Sequence, residues 1–216
     1  MRKLPAKQEL TIDGPSGALE AIVESPRDSA PVGTAVVCHP HPVHGGTMQN
    51  KVAHTLARAF VSCGFAALRF NFRGVGKSAG AFDEGVGEID DVLAAVAWLR
   101  GEAPALPLWL AGFSFGGAMA VHAALRAQPA GLVSIAPAVT RFVGKLDGQP
   151  DCPWLILQGD QDELVDVEET ISWVNDLEPG PELEVFAGVE HFFHGKLVEL
   201  RTAVEDFVKR HGTAND

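Results

Sequence analysis

The sequence lacks any uninterrupted apolar run near the length of a membrane span, which needs about 18 to 20 residues. The start of the chain, MRKLPAKQEL, is basic but lacks the apolar core of a secretory signal peptide. Only three cysteines are present, an odd number, and each adjoins an apolar or helical segment, as is typical of reduced thiols. These absences predict a cytoplasmic protein that does not insert into a membrane.

Positive charge is also scarce, because 17 lysines and arginines stand against 28 acidic residues and leave a formal net charge of −11. Nucleic acids and anionic membranes attract basic patches, so neither is an expected partner. No internal repeat or low-complexity segment is found in the chain. Its length of 216 residues and its apolar fraction of 46% are typical of one globular domain, predicted here to span residues 1–216.

After an antiparallel hairpin, short apolar runs alternate with segments of helical periodicity. Strands are expected at residues 9–12, 18–23, 34–38, 65–72, 106–111, 132–136, 154–158 and 183–186. Helices are expected at residues 50–63, 88–100, 116–127, 167–177 and 196–209. This alternation predicts an α/β fold in which helices cover both faces of a mostly parallel sheet. In such sheets ligands bind beyond the carboxyl ends of the strands, so the loops there are searched for chemistry.

The run GFSFGG places Ser114 between Gly112 and Gly116, where an expected strand turns into an expected helix. This is the nucleophile-elbow pattern, in which a serine projects from a sharp turn. Glycine is needed on both sides because a Cβ would clash where the strand and helix backbones approach each other. A glycine-rich turn with an idle serine is the alternative, so further residues must supply the chemistry.

A serine nucleophile needs a base and a carboxylate that orients the base, and the last two strand ends offer both. Of the four acidic residues in GDQDELVD, Asp162 is best placed to reach the neighbouring loop. Asp160 is expected to tie its own turn, and Asp166 to cap the following helix. In GVEHFFH, after the last strand, position favours His191 over His194 as the base.

Two backbone amides are expected to bind the oxyanion that forms during acyl transfer. One is the amide of Phe115, at the head of the helix after the serine. The other comes from the loop HPHPVH after the third strand. Its two prolines have no N–H, so the donor is the amide of His39, His41 or Val43. We select His41 because prolines on both sides fix its direction.

The segment 137–153 is too short for a helical lid, which predicts an open, shallow site. Five phenylalanines are candidates to line that site: Phe113, Phe115, Phe142, Phe192 and Phe193. Of these, Phe113, Phe192 and Phe193 are expected to contact substrate. An open apolar cleft suits small-molecule esters with short or medium acyl chains. Thioesters and peptide ends are alternative substrates for the same catalytic residues. A homodimer is also possible, in which a second subunit shields the uncapped cleft.

The motifs GFSFGG, GDQDELV and GVEHFF, with CHPHPVHGGTMQNK and RFNFRGVGKS after earlier strands, resemble the α/β-hydrolase superfamily. The CHPHP segment is similar to that of its small lidless serine hydrolases, distant relatives of dienelactone hydrolase. The resemblance covers nearly the whole chain and implies a three-layer α/β/α fold with about eight strands and no lid. It also implies a triad of Ser114, His191 and Asp162, oxyanion amides at Phe115 and His41, and ester hydrolysis without cofactor or metal. Dienelactone hydrolases carry a cysteine nucleophile at the serine position, so that particular activity is not implied.

Other motifs offer competing hypotheses. His39, His41 and His44 resemble the HxHxDH zinc motif of metallo-β-lactamase-like hydrolases, although Val43 replaces its Asp. A zinc-dependent hydrolase and a non-catalytic binding scaffold are therefore the alternatives of a different class. RGVGKS resembles the end of a phosphate-binding loop, but Asn71 occupies the position of its first glycine, which favours a tight turn after a strand.

Overall fold

The computed structural model describes residues 4–144, 146 and 148–212, so both ends of the predicted domain, 1–3 and 213–216, lie outside the described part. Its strands are β1 Lys7–Gly14, β2 Gly17–Glu24, β3 Gly33–Cys38, β4 Phe65–Phe70, β5 Leu108–Phe113, β6 Gly131–Ile135, β7 Trp154–Gly159 and β8 Glu182–Phe186. Its α-helices are α1 Lys51–Ser62, α2 Gly87–Glu102, α3 Phe115–Ala127, α4 Val167–Asn175 and α5 Leu197–His211.

The eight strands form one sheet in the order β1-β2-β4-β3-β5-β6-β7-β8. The hairpin β1–β2 and the β2–β4 pair are antiparallel, and all other neighbours are parallel. Every residue of β3, β4, β5, β6 and β7 is buried. Helices cover both faces of these strands, which explains why their sequences are nearly continuous apolar runs. The parallel strands end at the same edge of the sheet.

Two apolar cores lie on the two faces of the sheet. On one face, helices α1 and α5 pack around Trp109, whose ring lies 5.9 Å from the rings of both Phe60 and Phe207. On the other face, α2 and α3 pack over the sheet with side chains such as Val96 and Met119. The predicted three-layer α/β/α architecture with a mostly parallel eight-stranded sheet is confirmed.

The fourth strand ends two residues earlier than its apolar pattern predicts. The amide of Asn71 still donates to the Glu20 carbonyl of β2 at 2.8 Å. The next amide, that of Phe72, instead donates to the His39 side chain at 3.1 Å. The chain therefore leaves the sheet at Phe72, and the glycines of RGVGKS turn it away.

The connection between β6 and β7 contains one π-helical turn, Val139–Val143, and no α-helix in its described residues. This agrees with the predicted absence of a helical lid. Among the described residues, none of the helices combines the length and the apolar character needed to cross a bilayer.

Candidate active site

Ser114 lies between β5 and α3, at the carboxyl edge of the sheet. Its backbone has φ 54° and ψ −119°, a strained conformation for a residue with a side chain, which persists only where the surroundings impose it. Its amide donates to the Ile135 carbonyl at 2.8 Å, and its carbonyl accepts from the Ala118 amide at 3.1 Å. The backbone on both sides therefore holds the sharp turn that GFSFGG predicts.

The two flanking glycines are needed for two different close approaches. A Cβ on Gly112 would lie 2.1 Å from the Gly116 carbonyl oxygen, which is the expected clash between strand and helix. A Cβ on Gly116 would instead lie 2.3 Å from the His39 carbonyl oxygen, just beyond the end of the neighbouring strand β3. The turn at residues 112–116 therefore makes close backbone contacts with helix α3 and with the HPHPVH loop.

The imidazole of His191 links Ser114 to Asp162. His191 Nε2 lies 3.0 Å from Ser114 Oγ, and His191 Nδ1 lies 2.8 and 3.0 Å from the two carboxylate oxygens of Asp162. An ionised carboxylate only accepts, so the network assigns the proton to Nδ1 and leaves Nε2 to accept from the serine hydroxyl. The side chains of His191 and Asp162 are 2% and 0% exposed, so this chain of hydrogen bonds is shielded from water at its acid end.

Asp162 is held by donors on both of its oxygens. Oδ1 accepts from the backbone amides of Leu164 and Val165 at 2.9 and 2.8 Å. Oδ2 accepts from Gln158 Nε2 at 2.9 Å, as well as from His191. These neutral donors compensate the carboxylate for the water it loses on burial, because hydrogen bonds to an ion replace part of its hydration.

Asp160 and Asp166, two further acidic residues of GDQDELVD, have separate roles. Asp160 was expected to tie its own turn, and this prediction is wrong, because its Oδ1 accepts from the amide of Gly188 in the next loop at 2.6 Å. Asp166 caps α4, and its Oδ1 accepts from the amides of Glu168 and Glu169 at 2.8 and 3.1 Å.

Backbone contacts join the acid loop after β7 to the base loop after β8. The Gln161 amide donates to the Val189 carbonyl at 3.0 Å, and the His191 amide donates to a Glu163 carboxylate oxygen at 3.3 Å. A Cβ on Gly159 would lie 2.1 Å from the Val189 carbonyl oxygen, so only glycine permits this approach. The acid and the base are therefore set relative to each other by the backbone as well as by their own bond.

The residues of both predicted oxyanion amides lie at the pocket above Ser114. The Phe115 amide is the first of α3, where an N–H has no acceptor within the helix. His41 lies in a loop fixed by its own carbonyl, which accepts from the amides of His44 and Gly46 at 3.2 and 3.0 Å. The role of these two amides remains a prediction.

The ring of His41 forms part of the pocket wall. Its Nδ1 accepts from the Val43 amide at 3.2 Å, which puts the proton on Nε2. The ring packs beside Phe115, with centroids 5.1 Å apart. Burial, together with the charges of His44 and Arg141, lowers the pKa of His41 to about 4. The ring is therefore neutral at pH 7.

A pocket of about 540 Å³ opens above Ser114. This volume falls within the range of about 300 to 1,000 Å³ typical of small-molecule sites. Phe142 and Phe192 contribute apolar walls, and Leu164, which is 64% exposed, lies at the edge. Arg141 also lines the pocket, with its guanidinium 5.0 Å from the ring centroid of Phe142.

Residues 35–144 match the family model described as serine aminopeptidase, S33. The chain is similar to XC6422 from Xanthomonas campestris, a member of the α/β serine hydrolases without lid, with 44% identity, full coverage of both chains and a TM-score of 0.94. It is also similar to an α/β serine hydrolase homologue from Coxiella burnetii, at 43% identity over 95% of this chain and 99% of that one, with a TM-score of 0.90. The uncharacterized protein RP471 of Rickettsia prowazekii is 34% identical over 212 residues, covering 93% of this chain and 88% of RP471.

The chain belongs to the lidless α/β serine hydrolases.

Of the three phenylalanines predicted to contact substrate in this hydrolase, one lines the pocket. Phe192 is 37% exposed at the pocket wall. The prediction is wrong for Phe113 and Phe193, which are both 0% exposed. Phe113 ends β5 and packs against the His191 ring at 4.9 Å, and Phe193 packs against Phe186 at 5.7 Å. Both support the site from within the core.

The histidine loop of the hydrolase does not form the zinc site considered from the sequence. His39 is buried, its Nδ1 donates to the Pro40 carbonyl at 2.6 Å, and its Nε2 accepts from the Phe72 amide at 3.1 Å. Both nitrogens are thus occupied away from His41 and His44. Across the described residues, no group of three or more His, Cys, Asp or Glu side chains is arranged to hold a metal ion.

Leu164 and Gln158 are among the residues of the site that the sequence analysis did not identify. Leu164 is an exposed apolar residue within an acidic loop, and that mismatch was an available signal. Gln158 is a polar residue within the buried strand β7, directly before Gly159, and a lone polar residue in an apolar run was a signal as well.

Proposed function

We propose that this hydrolase cleaves carboxylic esters with short to medium acyl chains through an acyl-enzyme on Ser114. The observation that carries the proposal is the continuous hydrogen-bond chain from Ser114 Oγ through His191 to Asp162, at the base of an open pocket. A hydroxyl on a strained turn, a neutral imidazole and a buried carboxylate are the groups that nucleophilic acyl transfer requires.

In the first step His191 Nε2 takes the proton of Ser114 Oγ while that oxygen bonds to the ester carbonyl carbon. The carbonyl electron pair moves onto its oxygen, which the amides of Phe115 and His41 receive. When the tetrahedral intermediate collapses, the bond to the alcohol oxygen breaks, and His191 gives its proton to that oxygen. Asp162 keeps the imidazole in the required tautomer and stabilises its charged form.

In the second step water takes the place of the alcohol. His191 Nε2 removes a proton from water as the hydroxyl oxygen attacks the acyl carbon. The bond to Ser114 Oγ then breaks, His191 returns the proton to Oγ, and the carboxylic acid leaves. The net reaction consumes one ester and one water and yields one acid and one alcohol.

The pocket supports the choice of acyl group. Its walls at Phe142 and Phe192 are apolar, and its volume of about 540 Å³ accommodates a small acyl chain. No α-helix from the described residues between β6 and β7 narrows its mouth. An apolar, open pocket favours neutral esters that bury a few methylene groups, each contributing about 0.8 kcal/mol.

A matched panel of butyryl substrates tests the proposal: p-nitrophenyl butyrate, a butyryl thioester and butyryl p-nitroanilide. We expect the oxygen ester to be hydrolysed with the highest kcat/KM, and Ser114→Ala to lose several orders of magnitude in rate. Preference for the thioester or the anilide would replace esterase by thioesterase or peptidase on the same serine. Undiminished hydrolysis by Ser114→Ala would refute the mechanism itself.

A further inference from the structure

The side chain of Gln158 lies fully buried behind Asp162, at the end of β7. Its Nε2 donates to Asp162 Oδ2 at 2.9 Å and to the Val165 carbonyl at 3.0 Å, and it lies 3.5 Å from the Gly159 carbonyl oxygen. Because three acceptors surround this end of the amide, the NH₂ group must face them. A reversed amide would point its own oxygen at a carboxylate and two carbonyls.

The oxygen of the same amide is unsatisfied, because Gln158 Oε1 is buried and has no hydrogen-bond partner among the described residues. A buried acceptor without a donor destabilises the folded state, and an apolar side chain of the same length would avoid that loss. Folding gives one reason for a glutamine here, because its NH₂ group also donates to the buried Val165 carbonyl. The contact with Asp162 gives a second one.

The donors to Asp162 divide between its two oxygens. Oδ1 is fixed by the backbone amides of Leu164 and Val165, which belong to the loop itself. Oδ2, the oxygen nearer to His191 Nδ1 at 2.8 Å, has Gln158 as its other donor. Rotation of the carboxylate about its Cβ–Cγ bond moves both oxygens, so with Gln158 present fixed donors resist this rotation at Oδ1 and at Oδ2. Without Gln158, only the two backbone amides at Oδ1 remain as fixed donors.

We propose that Gln158 is a positioning residue, which fixes the plane of the Asp162 carboxylate and through it the orientation of the His191 ring. The inference rests on the proposed function, since the ring must meet Ser114 Oγ for Gln158 to affect the rate. Gln158 contacts no substrate, so its effect belongs to kcat and not to KM. A misaligned ring slows proton transfer, whereas the pocket that binds the acyl chain stays unchanged.

Replacing Gln158 with methionine tests this, because Gln158→Met keeps the length and removes both amide groups. We expect kcat on p-nitrophenyl butyrate to fall at least roughly tenfold, the scale of one lost hydrogen bond, with KM within about twofold. The melting temperature should fall, because Asp162 Oδ2 and the Val165 carbonyl each lose a donor, although the orphaned Oε1 is removed as well, so kcat is compared well below the melting temperature of both proteins. The downfield proton resonance of His191 Nδ1–H should move or broaden.

Gln149→Met is the matched control, because Gln149 Nε2 also donates to two backbone carbonyls, those of Glu178 and Pro179, away from the site. It should leave kcat, KM and the proton resonance unchanged. Gln158→Asn is the second variant in case Gln158→Met does not fold. It keeps the amide but is one methylene too short to reach Asp162, so it should lose kcat similarly.

Three outcomes separate the two proposals. A folded Gln158→Met or Gln158→Asn protein with wild-type kcat overturns the positioning role, while the esterase proposal stands. A kcat loss equalled by Gln149→Met also overturns it. If the wild-type protein shows no Ser114-dependent hydrolysis, it is the proposed function that fails.

Discussion

At the scale of single residues, the site depends on which atoms carry protons. The hydrogen bonds assign one proton to His191 Nδ1, facing Asp162, and one to His39 Nδ1, facing the Pro40 carbonyl. The two rings are both buried, but of the two only His191 has a nitrogen directed at a hydroxyl. The two buried histidines thus differ in function because Nε2 of His39 accepts from the backbone amide of Phe72, whereas Nε2 of His191 faces the hydroxyl of Ser114.

The first residue-scale prediction separates the two aspartates of GDQD. Asp162→Asn should lower kcat by about four orders of magnitude, the loss seen when a triad carboxylate becomes an amide and the ring takes the wrong tautomer. Asp160→Asn should keep activity within a few-fold, because an Asn oxygen can still accept from the Gly188 amide. Steady-state kinetics on p-nitrophenyl butyrate measures both. A larger loss in Asp160→Asn would show that the acid is misassigned.

The second residue-scale prediction concerns stability against acid. Burial lowers the pKa of His39 from 6.5 to about 4, because a charged ring would lose its hydration in the core. Protonation would also place an Nε2–H against the Phe72 N–H, whose hydrogen bond Nε2 now accepts. The unfolded chain then binds this proton first, so stability is full above pH 6.5 and falls towards pH 4 by about 3 kcal/mol.

Urea unfolding at pH 7.5 and pH 4.5 measures this loss. His39→Gln removes the titrating group, and its amide oxygen can accept from Phe72, so the difference between the two pH values should shrink. Part of it should persist because the pKa of His41 is also lowered, to about 4. An unchanged pH dependence in His39→Gln would contradict the assignment.

At the scale of elements, the site is built from strand ends. Ser114 follows β5, Asp162 follows β7 and His191 follows β8, and parallel pairing brings these ends to one edge. The elbow is the tightest of these junctions, because α3 starts one residue after Ser114. Its geometry depends on the absence of side chains at Gly112 and Gly116.

The element-scale prediction compares two Gly→Ala substitutions. Gly112→Ala places a Cβ 2.1 Å from the Gly116 carbonyl oxygen, so the protein should be destabilised by more than roughly 4 kcal/mol or fail to fold. Gly101→Ala, in helix α2 with no atom within 4 Å of the new Cβ, should instead stabilise by up to about 1 kcal/mol. Thermal melts followed by circular dichroism distinguish them, and equal effects would contradict the close approach at the elbow.

The sequence predicted the elements well and the side-chain environment less well. Apolar period and glycine position located each strand to within two residues or so, because both are properties of the local chain. The burial of Phe113 and the partner of Asp160 depend on elements distant in sequence, namely the His191 ring and the Gly188 amide. The same is true of Gln158, whose importance appears only once Asp162 lies against it.

At the scale of the whole molecule, an apolar core packs on each face of the sheet, and the pocket opens at the carboxyl ends of the parallel strands. The connection between β6 and β7, where a lid would be inserted, carries one π-helical turn in its described residues. Phe142 of that turn forms a wall of the pocket, so the segment shapes the site without covering it. Within the described residues, no helical cap has to open before a substrate reaches Ser114.

The prediction at this scale is the absence of interfacial activation. Because no cap must move, the rate on a short ester should rise hyperbolically with concentration and continue smoothly through its solubility limit. Initial rates on p-nitrophenyl butyrate below and above that limit provide the test. A sudden increase when droplets form would indicate a moving cover over the pocket.

The most direct test of the central claim is to label the protein with a fluorophosphonate and map the modified residue by peptide mass spectrometry. The proposed mechanism predicts one adduct, on Ser114, absent in Ser114→Ala and formed far more slowly in His191→Ala. An adduct on another residue, or an unlabelled Ser114 in protein that still hydrolyses esters, would contradict it.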